Sequence, residues 1–386
     1  MKPRSISIAM ATHNGARQIA GQLASLAAQT LLPAELVVTD DCSTDETIAR
    51  VTAFAAAAPF PVRIESNATQ LGYKANFMHA ADLCGSDLIA FCDQDDIWLP
   101  GKLKTCVDAF DRDDVLLAYH NATVVTDDLQ PIGSLHGGAS SHVVRKFQSD
   151  PWHYGLGFTL VFRRALLSFS ESRLSSADFY HFDEPEAHDQ WIFFLASCLG
   201  NVAYISEPQV LYRQHQTNTF GWRDNSPSLL GLWYNVMLSG VDGLALRAIA
   251  AGKRAAILDR ITPELSDEQR RRARSSAAGY RKLESSYRLR REMYETTKLR
   301  SRMRQLLSLL RNGAYGARVH WGVGKKALAR DAVCNVFFGD RGAHPATAQP
   351  TTAEAIHTGA PRGKRSPETT ASRGNVTGRP PRELPL

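Results

Sequence analysis

The sequence contains few cysteines, and their spacing argues against two classes of protein. Six cysteines stand at positions 42, 84, 92, 106, 198 and 334, and no two of them form a Cys-x-x-Cys pair. Small secreted domains held by disulfides are dense in cysteine, and structural zinc sites use closely spaced pairs. We therefore expect neither a disulfide framework nor a structural zinc site.

We also expect no secretory signal, and the sequence contains no long run of uncharged apolar residues. Only about seven mostly apolar residues precede His13, too few for the apolar region of a signal peptide. The best candidate for a membrane span, residues 229–250, contains Asp242 and Arg247. Each charge would cost roughly 2.5–3.5 kcal/mol at mid-bilayer, so we interpret this segment as an interfacial or packed helix. We expect a cytoplasmic protein, with a peripheral position at the inner face of the plasma membrane left open.

Charge is present in ordinary amount but is unevenly distributed. The chain has 386 residues, 44% of them hydrophobic, and a net charge of +6, which excludes a wholly disordered or collagen-like protein. Residues 1–269 carry −11, whereas residues 270–330 carry +15. After about residue 340 large apolar side chains almost disappear, which predicts a disordered tail over residues 341–386.

Strand and helix patterns alternate over the first hundred residues. Apolar strand patterns at 5–11, 35–39, 62–65 and 88–92 are separated by helical patterns at 17–29, from 45 onward, and at 75–84. Such alternation predicts an α/β fold with a mostly parallel sheet, whose ligands bind at the carboxyl ends of the strands. We expect this domain to span residues 1–222, followed by a basic helical extension over 223–340.

Acidic residues cluster directly after the fourth strand pattern. Asp93, Asp95 and Asp96 place three carboxylates in four positions. Oxygen ligands select a hard cation, Mg²⁺ or Mn²⁺, which in turn holds substrate phosphates. The alternative is a solvated turn that caps the next helix. Asp41 follows the second strand pattern, where it either binds a base or ribose or lies beside a helix cap formed by Ser43 or Thr44.

Two further motifs lie later in the chain. Asp189 begins a strongly apolar helix, where the helix dipole alone explains a carboxylate, although a general base also needs one there. His215 and Arg213 end a strand pattern. An imidazole can complete a metal site, and a guanidinium can bind a diphosphate through two hydrogen bonds. A lone histidine, however, is more often a surface or core residue.

Taken together, these motifs resemble glycosyltransferase family 2, whose enzymes have the GT-A fold. The likeness is greatest to rhamnosyltransferase-like bacterial members that build surface polysaccharides, and it covers about residues 4–220. Six segments carry it, in the family's order: 10–15 (MATHNG), 40–45 (DDCSTD), 92–100 (CDQDDIWLP), 155–162 (GLGFTLVF), 188–191 (HDQW) and 211–215 (LYRQH).

The resemblance implies a role for each matching residue. Asp189 is the implied catalytic base, and Asp95, Asp93 and His215 are the implied metal ligands. The residues implied to bind the nucleotide sugar are Ala11, His13, Asn14, Asp41, Lys74, Asn76, Asp93, Gln94 and Arg213. Ala75 precedes Asn76 where related sequences often have a basic residue, so Lys74 is the substitute for a phosphate contact.

The implied reaction is an inverting transfer. A sugar moves from a nucleoside-diphosphate donor, linked to dTDP or UDP, to a hydroxyl of a saccharide or lipid-linked acceptor. A divalent metal, Mn²⁺ or Mg²⁺, is the implied cofactor.

Two other classes of protein use some of the same features. A nucleotidyltransferase also has acidic metal ligands on an α/β sheet, but it needs a glycine-rich, basic phosphate loop, and residues 13–17 (HNGAR) form no such loop. A non-catalytic protein could instead act through residues 270–330, which hold 18 Lys and Arg against 3 acidic residues, with apolar residues between them. That pattern favours an anionic membrane surface, or the solvated face of a packed helix, and no nucleic-acid motif accompanies it.

Overall fold

Ten strands of the described residues form one mixed sheet. The computed structural model describes residues 4–136, 140–144, 150–178, 183–215 and 241–333. The strands are β1 Ile6–Thr12, β2 Glu35–Asp40, β3 Val62–Ser66, β4 Leu88–Cys92, β5 Ile97–Trp98, β6 Val115–Thr126, β7 Pro131–Ser134, β8 His142–Val144, β9 Leu160–Arg163 and β10 Asn201–Gln214. The α-helices are α1 Ile19–Ala27, α2 Thr47–Ala55, α3 Tyr73–Asp82, α4 Lys102–Asp108, α5 His188–Leu199, α6 Val241–Ile261, α7 Asp267–Glu295, α8 Leu299–Arg311 and α9 Lys325–Arg330.

Most strands of this sheet run in one direction. Their order is β3-β2-β1-β4-β9-β6-β10-β5, with β7 on β6 and β8 on β10. β1 pairs parallel with β2 and β4, β2 with β3, and β6 with β10. β9 runs antiparallel between β4 and β6, so β6 and β10 point the same way as β1 to β4. The carboxyl ends of these six strands therefore meet at one edge, which confirms the predicted α/β, GT-A type of sheet.

The sheet buries both of its faces. All seven residues of β1 and all five of β4 are buried, which explains why β4 is apolar throughout and β1 is apolar except at Ser7 and Thr12. Side chains alternate between the faces: Ile8 and Met10 join one apolar cluster, while Ala9 and Ala11 join the other. The second cluster continues into the C-terminal helices.

Two local predictions need correction, and one strand was not predicted. The second helix begins at Thr47, and Asp45 accepts its first N–H through Oδ1 at 2.9 Å, so neither Ser43 nor Thr44 caps it. The residues of the two strands predicted near 202–205 and 210–212 belong to one strand, β10, which is kinked by register shifts around Pro208. β6 lies in the middle of the sheet, yet its twelve residues were not predicted as a strand.

The C-terminal helices pack against α5 and share the apolar cluster on that face of the sheet. α7 starts at a capping box in which Ser266 and Gln269 satisfy each other's backbone N–H groups. Its apolar residues Tyr280, Leu283 and Tyr287 are almost fully buried in the cluster that also contains Trp191 of α5. These residues, interleaved with arginines in the sequence, are therefore core residues and do not face a membrane.

Parts of three predictions lie outside the described residues. These are the domain boundaries at 222/223 and 340/341, the tail over 341–386, and most of the segment 229–250, of which α6 contains only the last ten residues. Among the described helices, none combines the length and the apolar character that a membrane crossing requires.

Candidate active site

A large cavity opens at the edge where β1, β2, β4 and β10 end. Its volume is about 510 Å³, and its walls come from these strand ends and from the segments that lead into α3 and α5. This is the edge at which open α/β sheets bind ligands. Ten of the residues predicted from the sequence line it: Ala11, His13, Asn14, Asp41, Asn76, Asp93, Gln94, Asp95, Asp189 and His215.

Two hydrogen bonds join the loop after β1 to the loop after β4. His13 N donates to Gln94 Oε1 at 3.0 Å, and Gln94 Nε2 donates to His13 O at 3.0 Å. A Cβ atom at Gly15 would lie 2.2 Å from Gln94 Oε1, so only glycine allows this approach. The amide of Gln94 therefore holds two walls of the cavity together.

Asp41 and Asn76 organise the segment in front of α3. Asp41 Oδ1 accepts from Leu71 N at 2.6 Å, and its Oδ2 accepts from Gly72 N at 2.8 Å. Gly72 has φ of 78°, a left-handed conformation that favours glycine. The buried Asn76 donates to Thr39 O at 2.9 Å, which ties α3 to β2. Both side chains thus fix the backbone that lines this side of the cavity.

Three carboxylates converge in the loop after β4. One oxygen each from Asp93, Asp95 and Asp96 lies within 4.8 Å of the others. The antiparallel pairing of β5 with β10 brings this loop against the end of β10. His215 Nε2 there lies 2.8 Å from Asp95 Oδ2, and Arg213 N donates to Asp96 Oδ1 at 3.0 Å.

The electrostatics of this acidic loop favour a bound cation. Burial raises the pKa of Asp93, and repulsion from Asp95 raises it further. Burial and the same neighbours raise the pKa of Asp96 well above its ordinary value. The buried Lys102, whose Nζ donates to Phe158 O at 2.7 Å, lowers both pKa values but only in part.

A hard divalent cation fits these donors. They are carboxylate oxygens with one imidazole nearby, and Asp96 Oδ2 is buried without a hydrogen-bond partner among the described residues. Oxygen-rich donor sets of this kind suit Mg²⁺ and Mn²⁺. Asp93 and Asp95 line the cavity, whereas Asp96, the third carboxylate of the predicted cluster, is fully buried and does not line it.

Asp189 enters the cavity from the first turn of α5. Its Oδ1 accepts from Gln190 N at 2.7 Å. Burial raises the pKa of Asp189 to about 7, against the opposing effect of backbone N–H groups of Gln190 and Gly157. A carboxylate that titrates near neutrality suits a general base, because its proton affinity matches the working pH.

His188 supports the start of α5. Its ring stacks on Phe77 with centroids 4.1 Å apart and meets Phe91 edge-on at 4.8 Å. Burial lowers the pKa of His188 to about 3, so the ring is neutral. A Cβ atom at Gly157 would lie 2.4 Å from His188 Nε2, which makes glycine necessary there. The aromatic packing thereby fixes the backbone next to Asp189.

Two predicted ligand-binding residues lie outside the cavity wall. Lys74 forms ion pairs with Asp178 at 2.9 Å and Glu184 at 2.8 Å. Arg213 Nε donates to Asp95 O at 2.9 Å, so this side chain supports the acidic loop from behind. Neither lines the cavity in this structure.

Aromatic residues of the wall were not predicted. Sequence patterns mark such residues only as apolar, and nothing separates them from core residues until the fold is known. The aromatic lining residues are Tyr73, Phe77, Tyr154, Phe158 and Tyr212.

Comparisons with known proteins identify the domain that carries this cavity. A model of the family described as glycosyl transferase family 2 matches residues 7–168. The domain that these residues form belongs to glycosyltransferase family 2. It is therefore a glycosyltransferase that uses nucleotide sugars, which confirms the enzyme class and leaves the nucleotidyltransferase alternative without support.

Two relatives by sequence are described as glycosyltransferases. The chain is 28% identical over 224 residues to a dTDP-rhamnosyl transferase, RfbG, of Shigella flexneri, covering 55% of this chain and 73% of that protein. It is 26% identical to an uncharacterized glycosyltransferase of Nostoc, covering 55% of this chain and 66% of the relative. Among solved structures, Staphylococcus aureus TarS in complex with UDP aligns with a TM-score of 0.45 at 19% identity over 74% of this chain and 91% of that one.

Proposed function

We propose that the enzyme transfers a sugar, with inversion, from a nucleoside-diphosphate donor to a hydroxyl of a saccharide or lipid-linked acceptor in bacterial surface polysaccharide synthesis. The observation that carries the proposal is that one cavity contains both a convergent acidic loop and a carboxylate with a pKa near 7. The relative that transfers rhamnose from dTDP makes a dTDP-linked deoxyhexose the first donor to test.

In this mechanism Asp189 accepts the proton of the acceptor hydroxyl. The hydroxyl oxygen attacks the anomeric carbon as the bond to the diphosphate breaks, and the electron pair of that bond leaves with the diphosphate. Asp93 and Asp95, with His215 beside them, would hold Mn²⁺ or Mg²⁺, which when bound neutralises charge on the departing diphosphate. His13, Asn14 and Asp41 would border the nucleotide.

A donor panel tests this proposal. Purified enzyme is mixed with dTDP-rhamnose, UDP-glucose, UDP-N-acetylglucosamine or GDP-mannose, and nucleoside diphosphate release is measured with Mn²⁺ or with excess EDTA. We expect one donor to be preferred and its turnover to require the metal. Undiminished release in EDTA would remove the metal role, and absence of a thermal shift with every donor would contradict the proposal.

We further propose that α8 contacts an anionic membrane surface at the inner face of the plasma membrane. Its inward side buries Leu306 and Leu309, whereas its outward side exposes Leu299, Leu307 and Leu310 to 51%, 46% and 43%. Apolar residues with flanking positive charges on one exposed face favour binding in the interface of a bilayer.

The positive charges beside this apolar stripe are available. Arg300, Arg304 and Arg311 are exposed and form no ion pair within the described part of the chain. In contrast, Arg288 and Arg291 of α7 each pair with a glutamate four residues away. The attraction to anionic lipid is therefore assigned to α8 and not to the whole basic segment.

Flotation with lipid vesicles tests whether membrane binding depends on the exposed arginines of α8 or on the paired arginines of α7. The full chain is required, because α7 residues fill the core beneath α5. We expect the full chain to float with vesicles that contain phosphatidylglycerol and not with neutral ones. A variant with glutamine at positions 300, 304 and 311 should lose this binding, while a control with glutamine at 271, 288 and 291 should keep it. Equal flotation of both variants would contradict the assignment to α8.

A further inference from the structure

A buried ion pair joins α6 to the segment that precedes the candidate base. Arg254 Nε donates to Glu186 Oε1 at 2.7 Å, and its Nη2 donates to Glu186 Oε2 at 3.2 Å. Arg254 is 2% exposed and Glu186 is fully buried. Glu186 stands three residues before Asp189, so this contact reaches the beginning of α5 from outside the span matched by the family model.

The same arginine also fixes the neighbouring wall. Arg254 Nη1 donates to Pro151 O at 2.8 Å and to the hydroxyl of Tyr280 at 2.9 Å. Tyr280 in turn donates to Pro151 O at 3.0 Å. Residues 154, 156 and 157, which follow Pro151 closely, line the cavity. One guanidinium therefore links two segments of the wall to α6 and α7.

The backbone around Glu186 is held from a third side. Arg173 Nη1 donates to Glu186 O at 2.8 Å, and Glu186 N donates to Ser176 Oγ at 2.8 Å. Both the charged group and the peptide groups of Glu186 thus have partners. A segment held this way has one arrangement, and Asp189 is placed by it.

Buried ion pairs give little net stability, because desolvation of the two charges offsets most of their attraction. Their well-attested effect is to fix one geometry. We infer that Arg254 is a positioning residue, which holds the segment over Glu186 so that Asp189 faces the acceptor hydroxyl. This inference rests on the proposed function of Asp189 and extends it to the C-terminal helices.

A matched pair of buried arginines tests the inference. Arg290 donates to Asp331 at 2.6 and 2.9 Å and is equally buried within the C-terminal helices, but neither residue lines the cavity. Arg254→Met and Arg290→Met therefore each leave one buried carboxylate without its guanidinium. The thermal stabilities of the two variants measure the cost of losing a buried ion pair, which both share. Their kinetics measure the placement of Asp189, which only Arg254→Met should disturb.

With the preferred donor, we expect Arg254→Met to lower kcat about 10²-fold at nearly unchanged donor KM, because a displacement near 1 Å costs about that much. Arg290→Met should stay within about threefold of the parent enzyme once folded protein is counted, and Arg254→Lys should recover part of the lost kcat. Equal kcat in the two methionine variants, or a rise in donor KM without a change in kcat, would overturn the inference.

Hydrogen–deuterium exchange separates failure of this inference from failure of the proposed function. Peptides over residues 183–191 should exchange faster in Arg254→Met than in Arg290→Met, whether or not a donor has been found. If no donor is turned over but exchange differs in this way, the proposed function fails and the positioning role stands. Equal exchange in the two variants overturns the positioning role.

Discussion

The carboxyl edge of the sheet and the exposed face of α8 carry opposite charge, and the molecule holds the two kinds of charge differently. At the edge, Asp41 accepts hydrogen bonds through both carboxylate oxygens, and Asp95 and Asp96 each through at least one. On α8, Arg300 and Arg304 point outward with no ion pair in the described residues. Fixed carboxylates can give a metal or substrate an exact geometry, whereas exposed arginines supply only attraction, which salt screens. The net charge of +6 describes neither region.

The largest expected effect is the loss of transfer activity when Asp189 is replaced, a change that should leave membrane binding through α8 intact. Asp189→Asn keeps the size of the side chain but removes the base, so transfer should fall about 10³-fold. Donor affinity, measured by calorimetry, should change less than twofold, and flotation with anionic vesicles should be unchanged. Glu184→Gln, an exposed neutralisation nearby, is the matched control. Full activity of Asp189→Asn would contradict the assignment of the base.

The next largest expected effect is the dependence of kcat/KM on pH. The raised pKa of Asp189 means that the ionised base is lost as the pH falls below about 7. With saturating Mn²⁺, kcat/KM should therefore decline about tenfold per unit below that pH. The same shift makes the folded state bind this proton more tightly than the unfolded chain does, so stability falls as pH rises from about 4 to 7.

Stability measurements check the sign of that linkage. At pH 8 Asp189→Asn should unfold at a higher temperature than the parent enzyme, because a buried charge has been removed. At pH 4 this advantage should disappear. A parent enzyme whose kcat/KM stays level down to pH 5 would exclude Asp189 as a base with a raised pKa.

The parallel half of the sheet and most of the site could be predicted because short-range patterns specify them. Runs such as 88–92 are apolar throughout since β4 is buried on both faces, and polar residues after such runs must lie at one edge. Asp93, Asp95 and Asp189 belong to motifs that occur in the same order as in glycosyltransferase family 2. Their shared cavity follows from topology alone.

The strand β6, the partners of Lys74 and Arg213 and the packing of the basic helices could not be predicted, because they depend on contacts between residues far apart in the sequence. β6 interrupts its apolar run with His120 and Asn121, both buried in the folded chain, and so did not resemble a strand. Lys74 and Arg213 have charges that suit a diphosphate, but carboxylates and carbonyls far away in the sequence engage them. The basic helices looked uniform until packing separated the buried face of α7 from the exposed face of α8.

The smallest expected effect concerns that exposed face in the absence of lipid. Without vesicles, the variant with glutamine at 300, 304 and 311 should release nucleoside diphosphate within twofold of the parent rate, because none of these residues lines the cavity. Each arginine contributes about 1 kcal/mol to attraction near an anionic surface, so vesicle binding should weaken far more than activity. Raising the salt concentration should lower vesicle binding of the parent enzyme in the same way. If the variant instead lost activity in solution as strongly as it lost flotation, α8 would belong to the catalytic region, and the contrast between fixed acidic charge and free basic charge would fail.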